Sequence, residues 1–218
     1  MNILLGFDPG GAGAFGWCVA EHSAQLPIRI RRTGIANDAQ GAVDAALSFV
    51  VNGADTVLAA AIDAPLFWVA SGDRRADQLV RDRVRQSGGQ SSSVQHVNSL
   101  QGACLIQGIL AGLLLRTIHP ELRLTESHPK AFLWIAGIAN DGLPAVMVTL
   151  QHLAQLIESD EAGSCDHERD AAIATLSAWA MVVGLAGAWT DLYPLEEHPY
   201  SPLAQPLAYW MPTPANSV

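Results

Sequence analysis

Three carboxylate residues of this chain stand directly after short apolar runs, where their side chains could bind a metal ion. Asp8, Asp63 and Glu126 each follow a run that predicts a buried strand, and a proline comes within three residues of each. Parallel strands present their carboxyl ends at one edge of a sheet, so the three carboxylates are expected to converge there. Taken singly, each residue could do no more than cap its own turn.

Further acidic residues open the last long apolar segment. A helix is predicted to begin at Asp166, which lies four residues before Asp170 and shares a face with it, although Asp166 could also be only an N-cap. A cluster of carboxylates needs a cation, because like charges and loss of water disfavour the ionised forms. Oxygen ligands suit Mg²⁺ or Mn²⁺, and a pair of such ions can hydrolyse a phosphodiester. We therefore predict a two-metal site formed by Asp8, Asp63, Glu126, Asp166 and Asp170.

Residues near the predicted metal site are candidates for substrate binding. Gly10 and Gly11 would keep the backbone beside Asp8 open for a phosphate. A polar stretch at 72–85 carries arginines that could hold phosphates, although it could also be a solvated helix with salt bridges. Two histidines could move protons near pH 7, or could be ordinary hydrogen-bonded side chains. The predicted substrate-binding residues are Gly10, Gly11, Arg74, Arg75, Arg81, Arg85, His128 and His167.

The composition limits the class of protein. Hydrophobic residues make up 50% of the 218 residues and charged residues 15%, which predicts one domain with a large core. With a formal net charge of −9, a nucleic-acid partner would need a local basic patch or metal ions. The three scattered cysteines show no zinc-site spacing and suggest reduced thiols in a cytoplasmic protein. No secretory signal is visible, and the apolar segment at 171–189 predicts a buried helix rather than a membrane span.

The remaining pattern predicts a mixed α/β fold. Three short strands with tight links, at 3–7, 16–20 and 28–33, predict an antiparallel meander. Helical and strand-like segments alternate after it, and a helix is expected at 143–157. Six prolines lie beyond residue 190, so we expect a tail without regular helix or inner strand, pinned to the body by aromatic side chains.

The order of these motifs resembles that of a known family. The motifs at 6–11, 16–17, 62–65, 126–129 and 166–172 follow the order of a family of unknown-function domains predicted to be RNase H-like nucleases. The first and last motifs are also similar to those of Holliday-junction resolvases in the same superfamily. The resemblance extends over about residues 3–185, nearly the whole chain.

This resemblance implies a mixed five-stranded sheet of order 3-2-1-4-5, with strand 2 antiparallel and helices on both faces. The RNase H-like domain would span residues 1–190, and residues 191–218 would form a tail packed on it. Asp8 would be the central metal ligand, completed by Asp63, Glu126 and Asp170. Two features depart from the resolvases: Asp63 stands where they usually have glutamate, and this acidic chain has a single lysine, Lys130.

Three functions are compatible with these observations. The first is a metal-dependent nuclease that hydrolyses DNA or RNA, for which the sequence is also compatible with a homodimer. The second is an ATP-binding phosphotransferase of the actin and sugar-kinase type, in which the glycines at 10–13 would bind a phosphate. Those enzymes duplicate the fold, and 218 residues leave no room for a second copy. The third is a non-catalytic binding module that retains the fold.

Overall fold

The protein folds around a single mixed β-sheet. A computed structural model describes residues 1–11, 13–51, 53–69, 74–94, 102–159, 165–184, 188–199 and 201–214. Its strands are β1 (Asn2–Asp8), β2 (Phe15–Glu21), β3 (Ile28–Ala36), β4 (Thr56–Ile62), β5 (Arg123–Glu126), β6 (Ile157–Glu158), β7 (Trp189–Asp191) and β8 (Leu207–Pro212). Its α-helices are α1 (Ala39–Ser48), α2 (Arg75–Gln86), α3 (Gly102–Ile118), α4 (Pro129–Ile135) and α5 (Asp166–Val183).

The strand order confirms the centre of the expected sheet but not its size. The order is β6-β3-β2-β1-β4-β5-β8-β7, so the expected 3-2-1-4-5 arrangement is present within a sheet of eight strands rather than five. β2 runs antiparallel to both β1 and β3, and β4 and β5 continue parallel to β1. The carboxyl ends of β1, β4 and β5 therefore meet at one edge of the sheet.

Helices cover both faces of the sheet, as expected. On one face, α1 and α3 pack against side chains of β1 and β4 such as Leu5 and Ile62. On the other face, α5 packs against residues such as Leu4 and Ala61, and α2 and α4 extend this second core. In α5 the residues from Arg169 to Met181 are all buried, which confirms the expectation of a buried helix. Among the described helices, none is long and apolar enough to cross a membrane.

The proline-rich tail contributes an inner strand, which the sequence prediction excluded. β8 lies between β5 and β7, pairs parallel with β5 and antiparallel with β7, and buries Tyr209 and Met211 completely. Pro206 precedes this strand and Pro212 ends it, so the missing N–H groups fall at its ends, where proline is tolerated. The division of the chain at residue 190 stays a prediction.

The helix predicted at 143–157 is wrong. Two short 3₁₀ segments, Ala145–Met147 and Leu150–Leu153, occupy this stretch, and it ends in β6 beside β3. Thr149 interrupts the helical pattern because its side chain forms a capping box with His152, whose Nδ1 accepts a hydrogen bond from the Thr149 backbone at 3.0 Å. Such side-chain bonds to the backbone compete with regular helix.

Two glycines allow α5 to approach the sheet closely. A Cβ atom on Gly6 of β1 would lie 2.0 Å from the carbonyl oxygen of Ala171, and one on Gly16 of β2 would lie 2.1 Å from that of His167. Both contacts are with helix backbone, which cannot move away without displacing α5. The close approach therefore holds the first turns of α5 against the end of β1.

We expect Gly6→Ala to lower the free energy of unfolding by about 2–4 kcal/mol, because the new methyl group would force α5 away from the sheet. Gly11→Ala is the matched control, since a Cβ atom there would meet no other atom within 4 Å. Urea denaturation of both variants measures the difference. Equal stability of the two variants would contradict the close contact between Gly6 and α5.

Candidate active site

The ends of β1 and β4 place two of the predicted acids beside each other. In the parallel pairing of these strands Phe7 is in register with Ile62, so Asp8 and Asp63 are the next residues on the two strands. The backbone N–H of Asp63 donates to the carbonyl oxygen of Phe7 at 2.9 Å, which extends the pairing beyond β4. Asp8 is 8% exposed, and the side chain of Asp63 is 20% exposed. Both carboxylates are thus held on rigid backbone at the sheet edge.

The first turn of α5 places a histidine against Asp8. Nδ1 of His167 lies 2.5 Å from Oδ2 of Asp8. This hydrogen bond raises the pKa of His167, and burial opposes the shift only in part. His167 therefore holds a proton, and with it a positive charge, at a higher pH than an isolated histidine.

One helical turn further along, α5 buries Asp170 completely. Its Oδ1 accepts hydrogen bonds from Nε and Nη2 of Arg169 at 2.8 and 2.6 Å. Its Oδ2 accepts no hydrogen bond from a described residue, but forms an ion pair with Nζ of Lys130 at 3.3 Å. Lys130 lies in the first turn of α4, directly after β5. One oxygen of Asp170 is therefore anchored, and the other can accept a further cation.

The three aspartates act on one another electrostatically. Burial raises the pKa of Asp63 well above its usual range, and the charges of Asp8 and Asp170 add to that shift, while Lys130 opposes it. Burial also raises the pKa of Asp170, against the attraction of Arg169 and Lys130. The pKa values of Asp63 and Asp170 are thus raised even though Arg169, Lys130 and His167 place positive charges beside the carboxylates. Carboxylate oxygens in this state fit a divalent cation such as Mg²⁺ or Mn²⁺.

We expect Asp63→Asn to stabilise the metal-free protein. A raised pKa means that the folded state binds the proton of Asp63 more tightly than the unfolded state does. The stability that this proton contributes is full below the usual pKa of 3.8 and is lost as the pH rises through the raised pKa. The variant should gain about 1–3 kcal/mol at neutral pH, on the order of 3–8 °C in Tm.

Thermal denaturation in EDTA between pH 4 and 8 measures this gain, with Asp44→Asn on the exposed side of α1 as the control. The advantage of Asp63→Asn should grow with pH, and that of the control should not. A gain that is constant with pH, or a loss of stability at neutral pH, would contradict the charge repulsion at this site.

Glu126 belongs to a different group of side chains, although its charge still adds to the raised pKa of Asp63. In the pairing of β4 with β5 it is in register with Ile62, not with Asp63, and successive side chains of a strand point to opposite faces. The Glu126 carboxylate is completely buried and accepts from Nη1 and Nη2 of Arg74 at 2.9 and 2.6 Å, and from the backbone N–H of Leu66 at 3.1 Å. Burial raises the pKa of Glu126 to about 7 against the attraction of Arg74.

A second group of potential ligands surrounds this buried pair. Asp77, Glu126 and His128 each place one ligand atom within 4.8 Å of the others. However, the guanidinium group of Arg74 contacts Asp77 at 2.8 and 2.7 Å as well as Glu126, so a cation is already present there. Burial lowers the pKa of His128 to about 4, so this histidine is neutral near pH 7, which is the form that can ligate a metal ion. Among the residues that the structure describes, Asp8, Asp63 and Asp170 do not bring three ligand atoms this close together, so the two groups are rival candidates for a metal centre.

The other predicted site residues lie in different surroundings. Asp166 is 56% exposed and 3.5 Å from Nη1 of Arg169, consistent with a residue at a helix start. Gly10 allows a tight turn, because a Cβ atom there would lie 2.1 Å from the carbonyl oxygen of Ala14, whereas Gly11 faces open space. His128 approaches the site, with Nδ1 at 3.5 Å from Oδ1 of Asp63.

The arginines of α2 divide into buried and exposed side chains. Arg74, just before the helix, is 1% exposed and joins Asp77 to Glu126. Arg75 and Arg85 are exposed and form surface ion pairs with Glu197 at 3.9 Å and with Asp82 at 2.5 Å. Arg81 is half-buried. Arg74 therefore stabilises the fold around Glu126, and the two exposed arginines remain candidates for phosphate contacts.

Sequence reasoning missed two cationic residues of the site, Lys130 and Arg169. Lys130 was noted only as the single lysine, yet its position directly after the strand-end motif at 126–129 could have placed it at the sheet edge. Arg169 stands beside Asp170 in the sequence, but neighbours along a helix ordinarily point in different directions, so its pairing with Asp170 had no sequence signal.

Comparisons with known proteins give one structural match. No protein-family model and no curated protein matches the chain. A search of solved structures finds the chain described as "Thermus thermophilus RuvC structure", with a TM-score of 0.48 and 16% sequence identity. The match covers 84% of this chain and 96% of that one.

Proposed function

We propose that this protein is a divalent-metal-dependent nuclease that hydrolyses phosphodiester bonds of DNA or RNA on an RNase H-like fold. The observation that carries the proposal is that Asp8 and Asp63 stand side by side at the carboxyl ends of β1 and β4, with Asp170 of α5 near enough for the three charges to act on one another. The central strand order with antiparallel β2 supports the fold part of the proposal.

The three aspartates would hold the metal ions. The charges of Asp8 and Asp170 act on Asp63, and the charge of Asp8 also acts on Asp170. Asp170 contributes Oδ2, because Oδ1 is already held by Arg169. Bound Mg²⁺ or Mn²⁺ would activate a water molecule and stabilise the leaving oxygen of the phosphodiester. Glu126 would act from a distance, by fixing Arg74 and the backbone of Leu66.

The cations of the site would receive the substrate. The Lys130 side chain is 45% exposed at the edge of the acidic group, so its ammonium group can bind a non-bridging phosphate oxygen. His167, 39% exposed, carries a proton on Nδ1 toward Asp8 and can deliver a proton to a leaving oxygen. The net charge of −9 disfavours binding of nucleic acid over the surface as a whole, and these positive charges oppose that effect locally.

One observation favours the alternative of a non-catalytic module. Lys130, His167 and Arg169 already place positive charges on Asp170 and Asp8, so the site is partly neutralised without a metal ion. A titration with Mg²⁺ and Mn²⁺, followed by thermal denaturation, separates the two functions. Stabilisation at millimolar metal supports the nuclease, and an unchanged Tm supports the non-catalytic module.

Cleavage assays test the proposed activity directly. Labelled single-stranded, double-stranded and branched DNA and RNA are incubated with the protein and Mg²⁺, Mn²⁺ or EDTA. We expect cleavage of at least one substrate with metal, no cleavage in EDTA and none with Asp8→Asn. Cleavage that persists in the Asp8→Asn variant at the rate of the unchanged protein would overturn the assignment of the site.

A further inference from the structure

A pocket of about 460 Å³ opens next to the candidate active site. Lys130 belongs to both, because it lines the pocket and its Nζ forms the ion pair with Asp170. The volume lies within the usual range for small-molecule sites. The pocket lining includes Gln90, Lys130, Trp134, Asn140, Asp141 and Val146.

One wall of the pocket is tied to the active-site helix. Nη1 of Arg169 donates to the backbone carbonyl oxygens of Val148 at 2.9 Å and Val146 at 3.4 Å. The Nε and Nη2 atoms of the same guanidinium group hold Asp170. Arg169 therefore fixes the segment around Val146 relative to Asp170. The pocket keeps a constant position with respect to the acidic site.

Trp134 gives the pocket a flat aromatic surface. Trp134 of α4 is half-buried, and its five-membered ring packs on Gly89, where a Cβ atom would lie 2.7 Å from Cδ2 of the indole. The indole is therefore held in place by the backbone while part of it lines the pocket. A fixed aromatic ring of this kind favours stacking with a planar ring, and stacking of a nucleobase contributes about 1–3 kcal/mol.

The polar groups of the pocket can pair with the edge of such a base. Oδ1 of Asn140 accepts hydrogen bonds from the backbone N–H groups of Gly142 at 2.9 Å and Leu143 at 3.0 Å. Nδ2 is thus the atom of this amide that can donate to a ligand. The neighbouring Asp141 carboxylate is exposed and can only accept. A donor beside an acceptor matches nucleobase edges, which carry both kinds of group.

We propose that this pocket binds a nucleotide, with the base on Trp134 and against Asn140 and Asp141, and with the phosphate toward Lys130. Gln90 also lines the pocket. Resting on the proposed nuclease function, this assigns the pocket to a nucleotide of the strand that is cleaved, next to the phosphate at the acidic site. The enzyme would then read one base through a fixed pocket beside the metal centre.

Calorimetry on the metal-free protein tests the pocket without requiring cleavage. The probes are the 5′-monophosphates of adenosine, guanosine, cytidine and uridine, single-stranded tetranucleotides, and inorganic phosphate, all in EDTA. We expect saturable binding of at least one nucleotide, with a Kd in the micromolar to millimolar range, and weaker binding of phosphate alone. If the tetranucleotides bind, the ligand of the pocket is a nucleotide within a strand. If the mononucleotides bind and the tetranucleotides do not, the ligand is a free nucleotide.

Two adjacent exposed residues provide a matched pair of variants. Val146 is 61% exposed and lines the pocket, whereas Met147 is 65% exposed and lies outside the lining. Val146→Phe should fill the pocket and weaken nucleotide binding by about tenfold or more, and Met147→Phe should leave it unchanged. Equal effects of the two variants, equal binding of inorganic phosphate and nucleotides, or no saturable binding at millimolar nucleotide would each overturn the pocket assignment.

The outcome is distinguishable from that of the cleavage assays. Nucleotide binding in EDTA together with no cleavage under any metal condition supports the pocket assignment and contradicts the proposed nuclease activity. Metal-dependent cleavage without nucleotide binding contradicts the pocket assignment and supports the proposed nuclease activity.

Discussion

Replacement of Asp170 by asparagine is expected to lower metal-dependent cleavage by about a thousandfold or more, while Asp166→Asn stays within about threefold. Asp170 is completely buried among charges and offers Oδ2 to a cation, whereas Asp166 is 56% exposed at the start of the same helix. Loss of a ligand that positions a metal ion removes several kcal/mol of transition-state stabilisation, and each 1.36 kcal/mol is a tenfold change in rate.

Rates of single-turnover cleavage and melting temperatures of both variants make this comparison. Asp170→Asn removes a carboxylate whose pKa burial raises, but it also takes the counter-charge from buried Arg169, so the melting temperature separates lost folding from lost chemistry. An inactive but stable Asp170→Asn protein therefore reports lost chemistry and not lost folding. Equal activity of the two variants would contradict the assignment of Asp170 to the metal centre.

Removal of the Arg74 guanidinium is expected to destabilise the protein strongly. Arg74→Leu would leave the Asp77 and Glu126 carboxylates buried without their cation, and breaking such a pair costs about 3–5 kcal/mol. It would also remove the contact of the guanidinium with the face of Phe67, 4.5 Å from the ring centre. Stability should fall enough to be measured easily by urea denaturation.

Arg85→Leu is the matched control on α2, because Arg85 pairs with Asp82 at the surface, where an ion pair contributes about 0–1 kcal/mol. Glu126→Gln separates the structural role of the pair from a metal-binding role. We expect it to reduce stability but to leave the affinity for Mn²⁺ unchanged. A loss of Mn²⁺ binding in Glu126→Gln with normal stability would indicate that Glu126 is a metal ligand.

Much of the fold could be predicted from local patterns in the sequence. The runs before Asp8 and Asp63 are apolar and end in proline turns, so the strands and the positions of these acids at their ends were readable. The helix start at Asp166 was equally clear, and it correctly places His167 and Asp170 near the sheet edge. Each of these features depends on residues close together in the chain.

The partner of Glu126 could not be predicted, because it depends on strand register. Glu126 is the last residue of β5 and pairs with Ile62, while Asp63 comes one residue later on β4. A shift of one residue moves a side chain to the other face of a sheet, and sequence patterns do not specify that shift. Arg74, 52 residues away, then becomes its neighbour.

The inner strand β8 and the 3₁₀ segments at 145–153 were missed for a different reason. In β8 the prolines lie at the strand ends, where they do not interrupt hydrogen bonding, but a count of prolines in the tail disfavoured any inner strand. At 145–153, apolar residues at helical spacing indicated a helix, and the capping interaction of Thr149 with His152 prevailed over that spacing. Tertiary and local polar contacts decided both cases.

A crystal structure of the protein with Mn²⁺, in which anomalous scattering locates the ion, tests the central claim most directly. We predict an anomalous peak bounded by the carboxylates of Asp8, Asp63 and Asp170, with the ion pair between Lys130 and Asp170 lengthened. The Arg74 guanidinium should remain on Glu126. A peak among Asp77, Glu126 and His128, or no peak at the three aspartates at saturating Mn²⁺, would contradict the account.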